Sequence, residues 1–256
     1  MFPLKDNIPT ERTAIVTIAL IAINVIVYFL LQKGGWSGGP DAIVVKWGAI
    51  PYEFAHPGRE CAVAAGQIAC EGMTGVTGTA PAQPPFWVTA FSSMFMHGSV
   101  LHLGGNMLFL WIFGNNVEDA MGRVRFVAFY LVGGLVAVAA QVLVDTSSTA
   151  PTIGASGAIA AVLGGYILLY PRARVVTLIF IVFFFTILEL PATLILGFWF
   201  LEQVAFGYFG VTNPTGGGGG VAYFAHIGGF AFGLLAIKLF VDRARGVAVA
   251  PRYPAT

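Results

Sequence analysis

Long apolar runs separated by short polar breaks dominate this chain, and their lengths predict membrane-crossing helices. A helix needs about 20 mostly apolar residues to cross a hydrocarbon core, whereas runs of roughly 10 to 14 more often lie at an interface or re-enter. By that measure 13–31 is charge-free and long enough, 101–117 is bounded by Glu118 and Asp119, 126–144 lies between Arg125 and Asp145, and 153–170 ends at Pro171. The stretch 175–209 stays apolar but is interrupted by Glu189 and Pro191, so its length fits one crossing or two. The last run, 221–237, stops at Lys238 and Arg243.

Charge resolves the count, because cytoplasmic loops carry an excess of Lys and Arg near the membrane. Arg123 and Arg125 follow the second run, Arg172 and Arg174 the fourth, and Lys238, Arg243 and Arg245 the last, while the loops near Asp145 and over 212–220 have no Lys or Arg. Every second loop is basic, which requires six spans. The fifth is then 191–209, with Pro191 near its start, and 175–188 is a non-spanning approach segment. The fold class expected is an all-α polytopic membrane protein, a six-helix bundle. A cytoplasmic tail (1–12) precedes the membrane domain (13–241), an outer loop occupies 32–86, and a second cytoplasmic tail occupies 242–256.

Composition agrees with this pattern. Hydrophobic residues make up 57% and charged residues 10% of the chain, and mean hydropathy is +0.82, outside the soluble range. The thirteen Lys and Arg are scattered and the net charge is +1, which argues against a nucleic-acid partner. Pro3, Asp6, Pro9 and Glu11 precede the first apolar run, unlike a cleavable signal peptide, so that run is expected to be retained. Both cysteines, Cys61 and Cys70, fall in the outer loop. On the oxidising side they suit a disulfide or two free thiols. They offer no metal-ligand pattern, and no H-E-x-x-H occurs, so no metal or cofactor is expected.

Ionisable groups inside spans are costly and are functional candidates by default. His102 and Asn106 sit at i and i+4 in the second span, on one face and about 6 Å apart along the axis. Ser156 lies in the first outer turn of the fourth span, within GASGA, and His226 lies near the outer end of the sixth. Spans two, four and six all run from outside to inside, so these four side chains share one depth in the outer leaflet. His97, just before the second span, is read as structural.

The residue types suit one reaction. A serine hydroxyl becomes a nucleophile when a neutral imidazole within hydrogen-bond reach accepts its proton. The Asn106 amide, an N–H of His102 and the backbone N–H of Ser156 could hold an oxyanion. No carboxylate is obviously placed to orient His226, since Glu189 and Glu202 belong to the fifth span and its approach. The pair is therefore a Ser–His dyad, its imidazole held by packing.

At these residues the chain resembles the rhomboid family of intramembrane serine proteases, from about residue 86 to the end of the sixth span. The matching pieces are HGSVLHLGGNM, GASG (Gly154 to Gly157) and AHIGGFAFG, in which His226, Gly229 and Gly233 fit A-H-x-x-G-x-x-x-G. The resemblance implies Ser156 as nucleophile, His226 as base, oxyanion stabilisation by His102, Asn106 and Ser156, and close packing of the sixth span on the fourth at Gly229 and Gly233. It also implies that LPATLILGFWFLEQ is the helix that shifts to admit substrate, with Phe198 and Trp199 in its gate. Two departures stand out. Trp47-Gly48 occupies the region where some members carry Trp-Arg, and Ala160 stands where some carry an aromatic that supports the base.

Singly, each motif has a plainer meaning: GASG, Gly133-Gly134, Gly164-Gly165 and Gly229 with Gly233 as packing devices, His226 as a packing histidine, and His102 and Asn106 as interfacial groups. Jointly, one mechanism accounts for all four polar groups. A channel or carrier would call for broken helices near the midplane or chains of carboxylates. A non-catalytic rhomboid-like protein that binds membrane-protein clients is the closer alternative. The resemblance implies transmembrane substrates entering from the bilayer, favoured by helix-weakening Gly or Pro in their outer half. By resemblance alone, a compact six-span form implies a bacterial plasma membrane, with both termini cytoplasmic and the active site opening outward.

Overall fold

The computed structural model describes residues 2–36, 41–181, 184–213 and 221–241. The expected tail 242–256, with Arg243 and Arg245, and residues 214–220 of the loop 212–220 lie outside the described residues.

In chain order, strand β1 (Phe2–Asp6) precedes helix α1 (Ile15–Ile26), which continues through a π-helical turn, Val27–Leu31. Helices α2 (Asp41–Trp47) and α3 (Pro51–Ala55), hairpin strands β2 (Cys61–Ala64) and β3 (Gln67–Cys70), and helix α4 (Phe86–Ser92) follow. Helix α5 (Val100–Phe109) runs through a second π-helical turn, Leu110–Gly114, into α6 (Asn115–Met121). Next come α7 (Arg123–Val144), α8 (Ser156–Leu169), strands β4 (Arg174–Ile181) and β5 (Phe184–Pro191), α9 (Ala192–Thr212) and α10 (Tyr223–Phe240). Among the described residues, α7, α9 and α10 are long and apolar enough to cross a membrane by length and composition, and α1 and α8 are shorter apolar helices.

Helix α8 is the centre of the bundle, with every residue from 157 to 166 buried. A helix apolar on all sides must be enclosed by others, and α8 packs most closely on α10. A methyl group built on Gly229 would lie 2.1 Å from the Gly157 carbonyl oxygen, one on Gly233 2.1 Å from that of Ala161, and one on Gly164 2.2 Å from that of Phe230. Backbone meets backbone along this seam. Helices in lipid gain no hydrophobic drive from one another and associate through close van der Waals contact, which small residues permit.

The start of α1 is held by a side chain from α6. Glu118 accepts from the N–H groups of Val16 (3.0 Å) and Thr17 (2.7 Å) and from the Thr17 hydroxyl (2.8 Å). A carboxylate thus meets first-turn donors that have no partner within their own helix.

The all-α expectation is corrected in two places. The described residues of 175–188, expected as a non-spanning approach, lie in the antiparallel strands β4 and β5, and β1 joins β4 to complete an antiparallel sheet ordered β1-β4-β5. The segment is dense in Val, Ile, Thr and Phe, whose stiff or broad side chains favour the pleated conformation. β1 falls within 1–12, so that stretch contains ordered structure rather than a bare tail. The outer loop also carries structure. Ala65 (φ 51°) and Gly66 (φ 78°) form the tight turn between β2 and β3. Cys61 and Cys70 face each other across that hairpin, are joined by a disulfide, and are buried with Val45, Ile50 and Tyr52 in a small separate core.

One buried acid ties β1 to the bundle. Asp6 Oδ2 accepts from Asn116 Nδ2 (2.5 Å) and the Tyr166 hydroxyl (2.6 Å), and the Tyr170 hydroxyl donates to the Asn116 carbonyl (3.0 Å). Burial pushes the Asp6 carboxyl from 3.8 up to about 6, more than the Tyr166 hydrogen bond pulls it down.

Gly233→Val should force α10 off α8 and lower stability by about 1 to 3 kcal/mol, read as a fall in the thermal unfolding midpoint in detergent. A carboxyl raised by folding contributes stability that is complete below the unfolded pKa and is lost as pH rises through the folded one, here from 3.8 to about 6. Asp6→Asn keeps an oxygen for Tyr166 and cannot ionise. Its midpoint should therefore gain on that of the wild type as pH is raised across this window.

Candidate active site

Helix α8 begins at Ser156, and the turn before it depends on glycine. Gly154 has φ +126°, a conformation side chains rarely adopt, and its N–H donates to the Ser93 carbonyl (2.9 Å). A methyl group there would lie 2.9 Å from His102 Cε1 and Nε2 and 3.4 Å from Ser156 Oγ. The turn thus lets the backbone pass directly beneath the His102 ring.

His226 lies in the first turn of α10, three residues before Gly229. Because Gly229 sits on the Gly157 carbonyl, the α8–α10 seam brings His226 beside Ser156: the Ser156 hydroxyl and His226 Nε2 are 2.7 Å apart. The other ring nitrogen, Nδ1, is 2.7 Å from Gln203 Oε1 of α9. Trp199, one turn earlier on α9, lies against the imidazole with ring centres 5.6 Å apart and planes at 37°. The His226 ring is therefore held from α9 by a hydrogen bond and a ring contact, not by packing alone.

Helix α5 supplies the third side. His102 Nδ1 accepts from the Gly98 N–H (3.3 Å), so the ring proton belongs on Nε2, the nitrogen turned toward Gly154. Asn106 is buried, and its Nδ2 has no hydrogen-bond partner among the described residues. The Ser156 N–H is a first-turn donor of α8, which has no side-chain cap. A cavity of about 480 Å³ joins these groups, lined by Leu101, His102, Asn106, Ser156, His226 and, from α9, Trp199, Glu202 and Gln203. It offers a hydroxyl bonded to an imidazole beside an unpaired amide donor, the combination that acyl transfer requires.

His97 lies outside this cavity. It is fully buried and meets His102 edge-on at 5.1 Å, and its backbone N–H and C=O are both bonded by the Gln32 side chain (3.0 and 2.6 Å). Burial, and secondarily His102, lowers its pKa to about 3, so it stays neutral and adds no charge beside the site. Phe198 and Trp199, grouped as gate residues by sequence, separate: Phe198 is exposed on the outer side of α9, and Trp199 turns inward to His226. Ala160 is buried in α8, and Trp199 supplies an aromatic ring to His226 from another helix. Among the described residues no three His, Cys, Asp or Glu side chains gather as metal ligands.

Gln203 is the residue that sequence reasoning passed over. Its signal was present: a lone amide in an apolar helix, four residues after Trp199. The search for an orienting group considered carboxylates, and an amide oxygen is also an acceptor.

The model of the rhomboid domain matches residues 84–243, more than half of the chain. This chain belongs to the rhomboid family. The chain is 32% identical over 154 residues to "Rhomboid protein 1, mitochondrial" of Saccharomyces cerevisiae, covering 58% of this chain and 40% of that protein. It is 36% identical over 96 residues to "Presenilin-associated rhomboid-like protein, mitochondrial" of Mus musculus, covering 37% and 26%. It is 36% identical over 73 residues to "RHOMBOID-like protein 5" of Arabidopsis thaliana, covering 28% and 24%. The chain thus spans well under half the length of these relatives. Membership makes it an integral membrane protein, and the mitochondrial names among these relatives give no support to the bacterial plasma membrane expected above.

Gly154→Ala should lower the unfolding midpoint, at a cost of about 1 to 3 kcal/mol for a side chain in this backbone region. Gly105→Ala, inside α5 where an added methyl meets open space, is the control and should hold or raise the midpoint.

Proposed function

We propose that this rhomboid protein is an intramembrane serine endopeptidase that cleaves transmembrane segments of other membrane proteins with a Ser156–His226 dyad. The observation that carries this reading is the 2.7 Å contact between the Ser156 hydroxyl and His226 Nε2, in a cavity edged by donors. Family membership supports it, since rhomboid proteins are generally serine proteases, although some are inactive.

In the proposed mechanism His226 Nε2 takes the proton of Ser156 as Oγ attacks the substrate carbonyl carbon. The oxyanion is met by Asn106 Nδ2, His102 Nε2–H and the Ser156 N–H. His226 then passes its proton to the leaving amine, and water, activated by the same nitrogen, releases the acyl group from Ser156. The cavity lies between α5 and α9, so a substrate enters from the bilayer past these two helices, with Trp199 at the inner wall of the gate and Phe198 on its lipid side. The bundle crosses the membrane six times, with α1, α5–α6, α7, α8, α9 and α10 as its spans and both termini opposite the site. A substrate helix must unwind to reach Ser156, which favours segments weakened by Gly or Pro near the scissile bond.

Purified wild type should cleave a type I transmembrane substrate and react with a fluorophosphonate probe, and Ser156→Ala should do neither. His226→Ala should lose cleavage, and Asn106→Ala should reduce kcat by about 10² to 10³. A folded wild type inert toward the probe and a substrate panel would overturn the protease reading in favour of a client-binding rhomboid protein.

A further inference from the structure

The amide of Gln203 has two distinguishable ends, and each has one partner. Its Nε2 donates to the Trp199 carbonyl at 3.2 Å, one turn back in α9, and its Oε1 faces His226 Nδ1 at 2.7 Å. An amide oxygen only accepts, so Nδ1 must carry the imidazole proton. Nε2 is then the nitrogen with a free lone pair, and it is the one 2.7 Å from the Ser156 hydroxyl. The reverse tautomer would set two acceptors against each other at Nδ1 and leave no acceptor for the serine proton.

Resting on the protease reading above, we infer that Gln203 is the positioning residue of the dyad: it sets the tautomer and ring plane of His226 and makes both conditional on α9 being seated. Gln203 touches no reacting atom and acts through His226. The dependence on α9 follows from burial. Along its 21 residues only Ala192, Ile195, Leu196, Gln203 and Gly207 are buried, and Leu194, Leu201, Val204, Phe206 and Phe209 are exposed. This helix has one thin inner face, and that face carries Gln203 and, beside it, Trp199. If α9 moves outward, the imidazole loses its hydrogen-bond acceptor and its ring contact together. The base is therefore competent only when the gate helix lies against α10, so opening and chemistry are separate states. The titratable groups sharing the cavity with His226 are His102 from α5, Glu202 from α9 and Tyr223 from α10. Among the described residues, only Gln203 bonds Nδ1.

The test compares wild type, Gln203→Leu and Gln203→Glu by kinetics against pH and by ¹⁵N NMR of histidine-labelled protein. In wild type, His226 should show the Nδ1–H tautomer, and Gln203→Leu should lose that preference. Kinetically, Gln203→Leu should lower kcat by about 10-fold or more, as when a group orienting a metal-bound histidine is removed, with KM little changed. Gln203→Glu restores an acceptor and adds a charge that favours the imidazolium. It should recover most of kcat and move the acidic limb of the kcat/KM profile upward by about one pH unit, a shift that a merely structural role would not produce. An Nε2–H tautomer in wild type, or a Gln203→Leu enzyme with wild-type kcat and pH profile, would overturn the inference. A wild type that neither cleaves nor labels would sink the protease reading instead, and the NMR tautomer would still decide the role of Gln203.

Discussion

The site depends on the close contact between α8 and α10. Gly157, Ala161 and Gly164 on one helix meet Gly229, Phe230 and Gly233 on the other, backbone against backbone. Ser156 and His226 stand together at one end of this seam, one residue from Gly157 and three from Gly229. Their 2.7 Å approach follows from the helix separation, which small residues set, rather than from any attraction between the two side chains. A single methyl group in the seam has no space to occupy. Helices held by van der Waals contact tolerate such intrusion poorly, because packing is the main force that joins them in lipid.

The bundle around this seam is unevenly built. α8 is enclosed, α10 and α7 close two sides, and α9 exposes most of its surface. Yet α9 supplies the two groups that hold the imidazole. The close α8–α10 seam thus presents Ser156 and His226 to each other, and a helix with one narrow inner face holds the imidazole. At the other end of α8, the sheet β1-β4-β5 leads directly into α9, and Asp6 of β1 is bonded to Tyr166 of α8. The start of α9 is thereby tied to the bundle core, while its middle rests on one narrow face.

The polar groups of the site were legible in the chain because lipid makes them conspicuous. His102, Asn106, Ser156 and His226 interrupt apolar runs, and loop charge alone assigned them a common depth. The strands were not legible, because a continuous apolar run has no periodicity to separate strand from helix. Loop charge and the even span count made 175–188 a non-spanning segment without indicating paired strands. β1 was missed for a related reason: its partner, β4, is about 170 residues away in the chain. Asp6 looked like one more polar residue before the first span until Tyr166 and Asn116 closed on it.

What the sequence determined by itself is the solvent, the family and the polar side chains available to the site, each marked by residue type and spacing along single helices. What only the tertiary structure decided is lateral adjacency. Depth follows from counting residues along a helix, but which helix faces which, and at what rotation, depends on how side chains fill the space between them. Gln203 belongs to that second class. Its spacing puts it one turn from Trp199, but only the packing of α9 on α10 turns its amide oxygen to His226.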